Sequence, residues 1–184
     1  RSGLPIAFSS GFNPHPKISY AGASPTGAAS EAEYLEIGLT QVLDPAVVHH
    51  QLDDSLPPGL DVLRVVVAPA GALADLLVAS HWHIALPETD LGQAKAAVEK
   101  FLALDEVLVE RMMKKGLRTL NAREVVVSMQ AIQDGDAPMA IDVVLRHSTP
   151  SVRPDDILTG LREAGGLVIE QTPVATRLEQ GPLD

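Results

Sequence analysis

The sequence contains no cysteine. That removes disulfides, thiolate zinc sites, a cysteine nucleophile and a protein-ligated iron–sulfur cluster from consideration. Aromatic residues make up only 3% of the chain, so Val, Leu, Ile and Ala have to fill the core and each exposed ring carries more information than usual. No stretch reaches the roughly 18 consecutive apolar residues of a membrane-spanning helix, and no signal-peptide pattern is present. The opening Arg1-Ser2-Gly3-Leu4-Pro5, without an initiator Met, reads as the start of a fragment. Basic residues are also scarce. Fourteen Lys and Arg stand against 24 Asp and Glu, a formal net charge of −10, which works against non-specific attachment to nucleic acid or anionic membrane. The chain further lacks a Walker A sequence, a dinucleotide glycine fingerprint and a G-x-S-x-G elbow. These absences predict a cytoplasmic protein with no membrane partner and no cofactor.

With 184 residues, 46% of them apolar and 21% charged, the chain is long enough for one large domain or two small ones. Residues 1–16 are broken by Gly and Pro. Ile18 to Tyr20 can open a strand, Ala21 to Ser30 reads as a loop, and Glu33 to Leu39 alternates with Leu35, Ile37 and Leu39 on one side. Asp44-Pro45 is a helix start, the spacing of Val48, Leu52 and Leu56 continues that helix, and Pro57-Pro58-Gly59 stops it. Leu60 to Val67 is β-branched enough for a strand. After a short connecting helix within Ala70 to Ala79, Trp82, Ile84 and Leu86 alternate with His81 and His83. A helix capped by Thr89 or Asp90 follows, with Leu91, Ala94, Val98 and Phe101 on one face. Val107 to Met113 is strand-like, and Val125 to Ile132 with Met139 to Arg146 forms a hairpin about Asp134-Gly135-Asp136. Pro154 starts a helix closed by Gly165-Gly166, and Leu167 to Gln171 gives a last strand. The order predicts an α+β fold of two tandem ferredoxin-like (split βαβ) halves, the first lacking its opening strand and helix. The expected boundaries are 1–69, a connecting segment 70–79, and 80–184.

The run from Gly3 to Tyr20, GLPIAFSSGFNPHPKISY, resembles the signature of the radical-SAM-linked protein family. This is a bacterial family of unknown function found beside or fused to radical S-adenosylmethionine proteins. Pro25-Thr26-Gly27, the run Ser30 to Ile37, Leu56 to Leu60 and the ending Arg177 to Leu183 continue the likeness. The resemblance implies a radical S-adenosylmethionine protein as partner and a preceding basic strand and helix. It assigns no catalytic residue.

Several side chains are candidates for binding. Asn13, His15 and Lys17 lie in a loop that Pro14 and Pro16 stiffen, which lowers the ordering cost of binding. His15 is a candidate general base and Lys17 a candidate phosphate holder, although the prolines also suit a plain crossover into the next strand. Glu31 and Glu33 sit on one side of a strand, as a carboxylate pair for acid–base work or a hard metal would, while solvent exposure is the plainer reading. Tyr20 and Tyr34, read as cross-strand neighbours, suit stacking on a base or packing. Five of the basic residues fall between Arg111 and Arg123. Of these, Lys114, Lys115, Arg118 and Arg123 form a basic turn able to grip RNA phosphates or an acidic protein surface, or to stand as a solvated hairpin tip. Neither His81 with His83 nor His49 with His50 has enough companions for a metal site.

The sequence reading is therefore a non-catalytic accessory or substrate-presenting protein working with a radical S-adenosylmethionine enzyme. The alternative is an RNA-binding or RNA-processing module of ferredoxin-like architecture.

Overall fold

A computed structural model describes residues 2–183. The chain divides into two compact units, one of residues 2–22 and Tyr34–Asp75, the other of Ala23–Glu33 and residues 76–183.

The first unit holds two strands, β1 (Ile18–Ala21) and β3 (Tyr34–Ile37), paired antiparallel so that Ile18 faces Ile37 and Tyr20 faces Leu35. Its helix α1 (Pro45–Asp53) begins as the sequence predicts: the Asp44 carboxylate accepts the Ala46 N–H at 2.8 Å, and Pro45 occupies the first turn. Only Val48 of this helix is buried. The expected strand from Leu60 to Val67 is absent. That segment is irregular, and Leu60, Leu63, Val66 and Val67 are exposed. β-branched residues favour a strand only where a neighbouring ladder exists to be joined, and among the described residues no strand lies against this segment. A short helix α2 (Leu73–Leu76) runs across the division at Asp75.

The second unit is built on a five-stranded sheet in the order β2-β9-β4-β8-β7. Its strands are β2 (Ala29–Ser30), β4 (Ala79–Ala85), β7 (Val126–Ile132), β8 (Ala140–Arg146) and β9 (Val174–Gly181). The pairings are antiparallel except β2 with β9, which is parallel. Two helices, α3 (Leu91–Leu102) and α4 (Pro154–Glu163), share the core with one face of this sheet: Ala94, Val98, Phe101, Ile157 and Leu161 pack with Trp82, Ile84, Ile141 and Val143. The expected strand at Val107–Met113 is β5 (Leu108–Met113), and it pairs with β6 (Gly116–Asn121), which the sequence reading did not expect, in a separate hairpin.

Two differences from the sequence reading have clear causes. The segment Ala23–Glu33, placed in the first half from sequence, packs with the second unit because β2 joins β9 and two long side chains of β9 hold it, as described below. The last strand is not Leu167 to Gln171 but β9. Gly166 takes φ +76° after α4 and the Leu167 N–H returns to the Leu161 carbonyl at 3.0 Å, so Leu167 plugs the core as part of the helix end. The true strand, VATRLEQG, buries Arg177 and Gln180, and so lacks the apolar alternation by which strands are recognised.

Candidate functional site

In the first unit, the loop around Asn13 is pinched at its neck. The Ser9 N–H donates to the His15 carbonyl at 2.8 Å, and the His15 N–H donates to Ser9 Oγ at 3.0 Å. Further along, the Lys17 N–H donates to the Ala7 carbonyl and the Gly38 N–H to the Lys17 carbonyl, at 2.7 and 2.8 Å. The backbone is thus fixed while every residue from Gly11 to Tyr20 stays exposed, Phe12 completely so. Asn13, His15 and Lys17 therefore share one exposed, backbone-braced segment. The register places Tyr20 on the same side of the β1–β3 hairpin as Ile18 and Leu35, which are also exposed. Tyr34 lies opposite Ala21, on the other side. The two tyrosines are therefore not facing neighbours, because the pairing is offset by one residue and an offset of one reverses the face.

In the second unit, Glu31 and Glu33 do not form a carboxylate pair. Residues 31–33 lie outside any strand. Glu31 is exposed, while Glu33 forms an ion pair with Arg177 and accepts the Ser24 N–H at 3.3 Å. Burial pushes the Glu33 carboxyl up, but the Ser30 hydroxyl, the Arg177 guanidinium and the Ser24 N–H outweigh it, and the group lies below the usual carboxylate range. The Arg177 side chain also donates to Ser30 Oγ at 3.3 Å and lies 5.4 Å from the centre of the Trp82 ring. Gln180 Nε2 donates to the Ala32 carbonyl at 2.6 Å. The runs Ser30–Glu33 and Arg177–Gln180, far apart in sequence, thus form one clasp.

The basic turn is a tight hairpin tip, with Lys114 and Lys115 between β5 and β6 and Gly116 at φ +109°. Lys114, Lys115 and Arg118 are exposed. Arg111 is not available with them: it pairs with Asp156 and donates to the Ser151 carbonyl at 2.7 Å, tying the hairpin to the start of α4. Arg123 also belongs elsewhere. Its guanidinium donates to the Leu102 carbonyl at the end of α3 and to the Val126 carbonyl, at 3.4 and 3.3 Å. It is a brace for the helix end.

Two further constellations lie along β4. Ser80 Oγ is 2.6 Å from His147 Nε2. Partial burial of the ring holds His147 below the usual imidazole range, with Arg177 adding to the effect and a bond to the Leu77 backbone opposing it. A histidine shifted down binds its proton less readily in the folded than in the unfolded chain, so its contribution to stability is complete above its unfolded value near 6.5 and is lost as pH falls through its lower folded value. Thermal melts should therefore show the protein losing stability as pH falls below about 6.5, and His147→Gln should flatten that limb.

On the sheet face away from the helices, Asp142 of β8 stands between two histidines of β4. His83 Nδ1 is 2.7 Å from Asp142 Oδ1, and His81 Nε2 is 3.5 Å from Asp142 Oδ2. The three side chains are 31%, 37% and 18% exposed for His81, His83 and Asp142. A depression of about 290 Å³ beside His81 is lined by Ser128, Gln130, Asp142 and Val144. Among the described residues no group of three or more His, Asp or Glu is arranged to hold a metal ion. The sequence paired the histidines correctly on one face but missed Asp142. Asp142 is the single acid in Ala140–Arg146, but the hairpin turn sets it opposite Gln130 of β7, and its place beside His83 depends on the long-range pairing of β8 with β4.

These features define an α+β protein with a clasped mixed sheet and, among the described residues, no helix long and apolar enough to cross a membrane. Over residues 1–154 the chain matches the family described as an uncharacterized protein conserved in bacteria (DUF2344), and it belongs to that family. No curated protein matches it.

Proposed function

We propose that the protein is an accessory partner of a radical S-adenosylmethionine enzyme, docking to that enzyme or presenting its substrate. The chain has no cysteine with which to hold the cluster such chemistry needs, so the radical step belongs to the partner. The observation that carries the docking reading is the braced loop: its backbone is held at Ser9, His15 and Lys17 while the Phe12 ring stands wholly in solvent. An exposed ring on a preorganised loop loses little entropy when it enters a pocket. The identity of the partner rests on the resemblance of the run that forms this loop, and such a partner places the protein in the cytoplasm.

The same reading takes both units as ferredoxin-like, the first without its opening strand and helix. The order β9-β4-β8-β7, with both helices packed on one face, supports this for the second unit. The succession β1, β3 and α1 supports it for the first.

The test is retrieval of the tagged full-length protein from its own cells at near-native level, with ribonuclease treatment. A radical S-adenosylmethionine enzyme should be retained. The double variant Phe12→Ala, His15→Ala should retain it at least about tenfold less well. Failure of any such enzyme to co-purify would remove the reading.

A second reading, RNA binding, is favoured by the exposed Lys114-Lys115 tip with Arg118 beside it on a hairpin that stands apart from the main sheet. Reversing these three charges to Glu should weaken binding of a single-stranded RNA. It should also reduce the slope of log affinity against log salt by about 2. Unchanged affinity and slope in a filter-binding series would exclude this surface.

A further inference from the structure

The geometry points to His81, Asp142 and His83 as an acid–base site for RNA, cleaving the phosphodiester next to a ribose 2′-hydroxyl. The inference rests on the RNA reading above and adds a chemistry to it. An imidazole that donates its Nδ1 hydrogen to a carboxylate is held in one tautomer, with the Nε2 lone pair turned outward. His83 meets that description through its 2.7 Å contact with Asp142, and its ring reaches solvent. His81 stands two positions along the same strand, about 7 Å away, with its Nε2 toward the other oxygen of the same carboxylate. A single carboxylate therefore holds both rings, His83 through Nδ1 and His81 through Nε2, and leaves a different nitrogen of each outside that contact. That is the complementary pair that general acid–base catalysis requires.

The substrate class follows from what surrounds the pair. A 2′-hydroxyl beside a phosphodiester supplies its own nucleophile within one molecule, so a pair that only accepts and donates protons is sufficient for this substrate. Arg146 is exposed on β8, on the same face as Asp142 and Val144 and one diagonal step from His81, and supplies a cation for the phosphate. Ser128 and Gln130 of the neighbouring strand line the depression with hydrogen-bonding groups suited to a base or sugar edge. His83 Nε2 takes the 2′-hydroxyl proton as the 2′-oxygen bonds to phosphorus. The bond from phosphorus to the 5′-oxygen breaks, and that oxygen leaves with the electron pair and takes a proton from His81. The products are a 2′,3′-cyclic phosphate and a 5′-hydroxyl, and proton exchange with water resets the two rings.

The charged and titratable groups facing the pair are Asp142 and Arg146 from β8 and Glu179, opposite His81, from β9. Because one ring must be free and the other protonated, cleavage should fall at both low and high pH. The experiment incubates the full chain with a fluorescently labelled single-stranded RNA and with the same oligonucleotide carrying 2′-deoxyribose throughout, and measures binding in parallel. The RNA should be cut to cyclic-phosphate ends and the deoxy strand left intact. His83→Gln and His81→Gln should each slow cutting by about 10²–10⁴-fold, with melting temperature and RNA affinity retained. RNA that binds but is not cut, or is cut equally by both variants, overturns the site and leaves the RNA reading standing. RNA that neither binds nor is cut overturns both.

Discussion

Replacing Arg177 by alanine is expected to lower the melting temperature by roughly 6–12 °C, corresponding to about 3 kcal/mol. The side chain is only 4% exposed, and it reaches Glu33 and Ser30 while its guanidinium lies over Trp82. Its removal strands the Glu33 carboxylate, strips the cover from Trp82 and loosens the segment Ala23–Glu33 from β9. The size follows from the general cost of breaking a largely desolvated ion pair from one side, taken at the low end because Glu33 is 41% exposed. Glu33→Gln should cost less, about 1 kcal/mol, since the amide oxygen still accepts from the guanidinium and the Ser24 N–H. Arg177→Lys should not restore the loss. An ammonium lacks the planar fork that meets Ser30 and Glu33 together while lying over a ring. Calorimetric melts of the three variants decide the matter. A shift below about 2 °C for Arg177→Ala would mean that the clasp adds nothing to the cooperative unit.

That clasp is also where the sequence was least legible. The helices were readable because their signals are local: Asp44-Pro45 and Asp90 cap as their side chains predict, and Gly165-Gly166 ends α4. The β7–β8 hairpin was readable because both strands are rich in Val, Ile and Ala and its turn holds Gly135 at φ +54°, although the bulge between Val126 and Ser128 was not. β9 was not, since its inward positions include Arg177 and Gln180 and its polarity is explained only by partners some 144 to 148 residues away in the chain. Leu60 to Val67 failed in the opposite direction: the composition suits a strand, but pairing is a property of two segments and composition reports one. Among the candidate side chains, Lys114, Lys115 and Arg118 stand exposed at a turn, as local spacing implied. Glu33 and Arg123, read as free groups, proved to be braces because their partners are distant in sequence or are backbone carbonyls. The register that separates Tyr20 from Tyr34 depends on a twelve-residue connection between β1 and β3 and could not be counted in advance.

Gly160→Ala is expected to destabilise the protein by about 1–3 kcal/mol, against the gain of up to about 1 kcal/mol that alanine normally brings to a helix. A Cβ at Gly160 would stand 2.7 Å from the Phe101 ring and 2.9 Å from Val107 Cγ1, both in the buried core. Neither neighbour is the free end of a flexible chain, so α4 must lift from α3 or the ring must leave its rotamer. Phe101→Leu should cost about 1.5 kcal/mol alone and should open room for the added methyl group. The double variant should therefore be more stable than the sum of the single effects allows, by about 1–2 kcal/mol in a denaturant series at constant slope. Strict additivity would show that the helices separate freely and that the close approach at Gly160 is not a constraint. Because α3 and α4 cover the sheet face opposite His81, Asp142 and His83, the row of histidines should keep its geometry in all three variants well below their melting points. Loss of stability without loss of RNA cleavage would then separate what holds the sheet together from what its open face does.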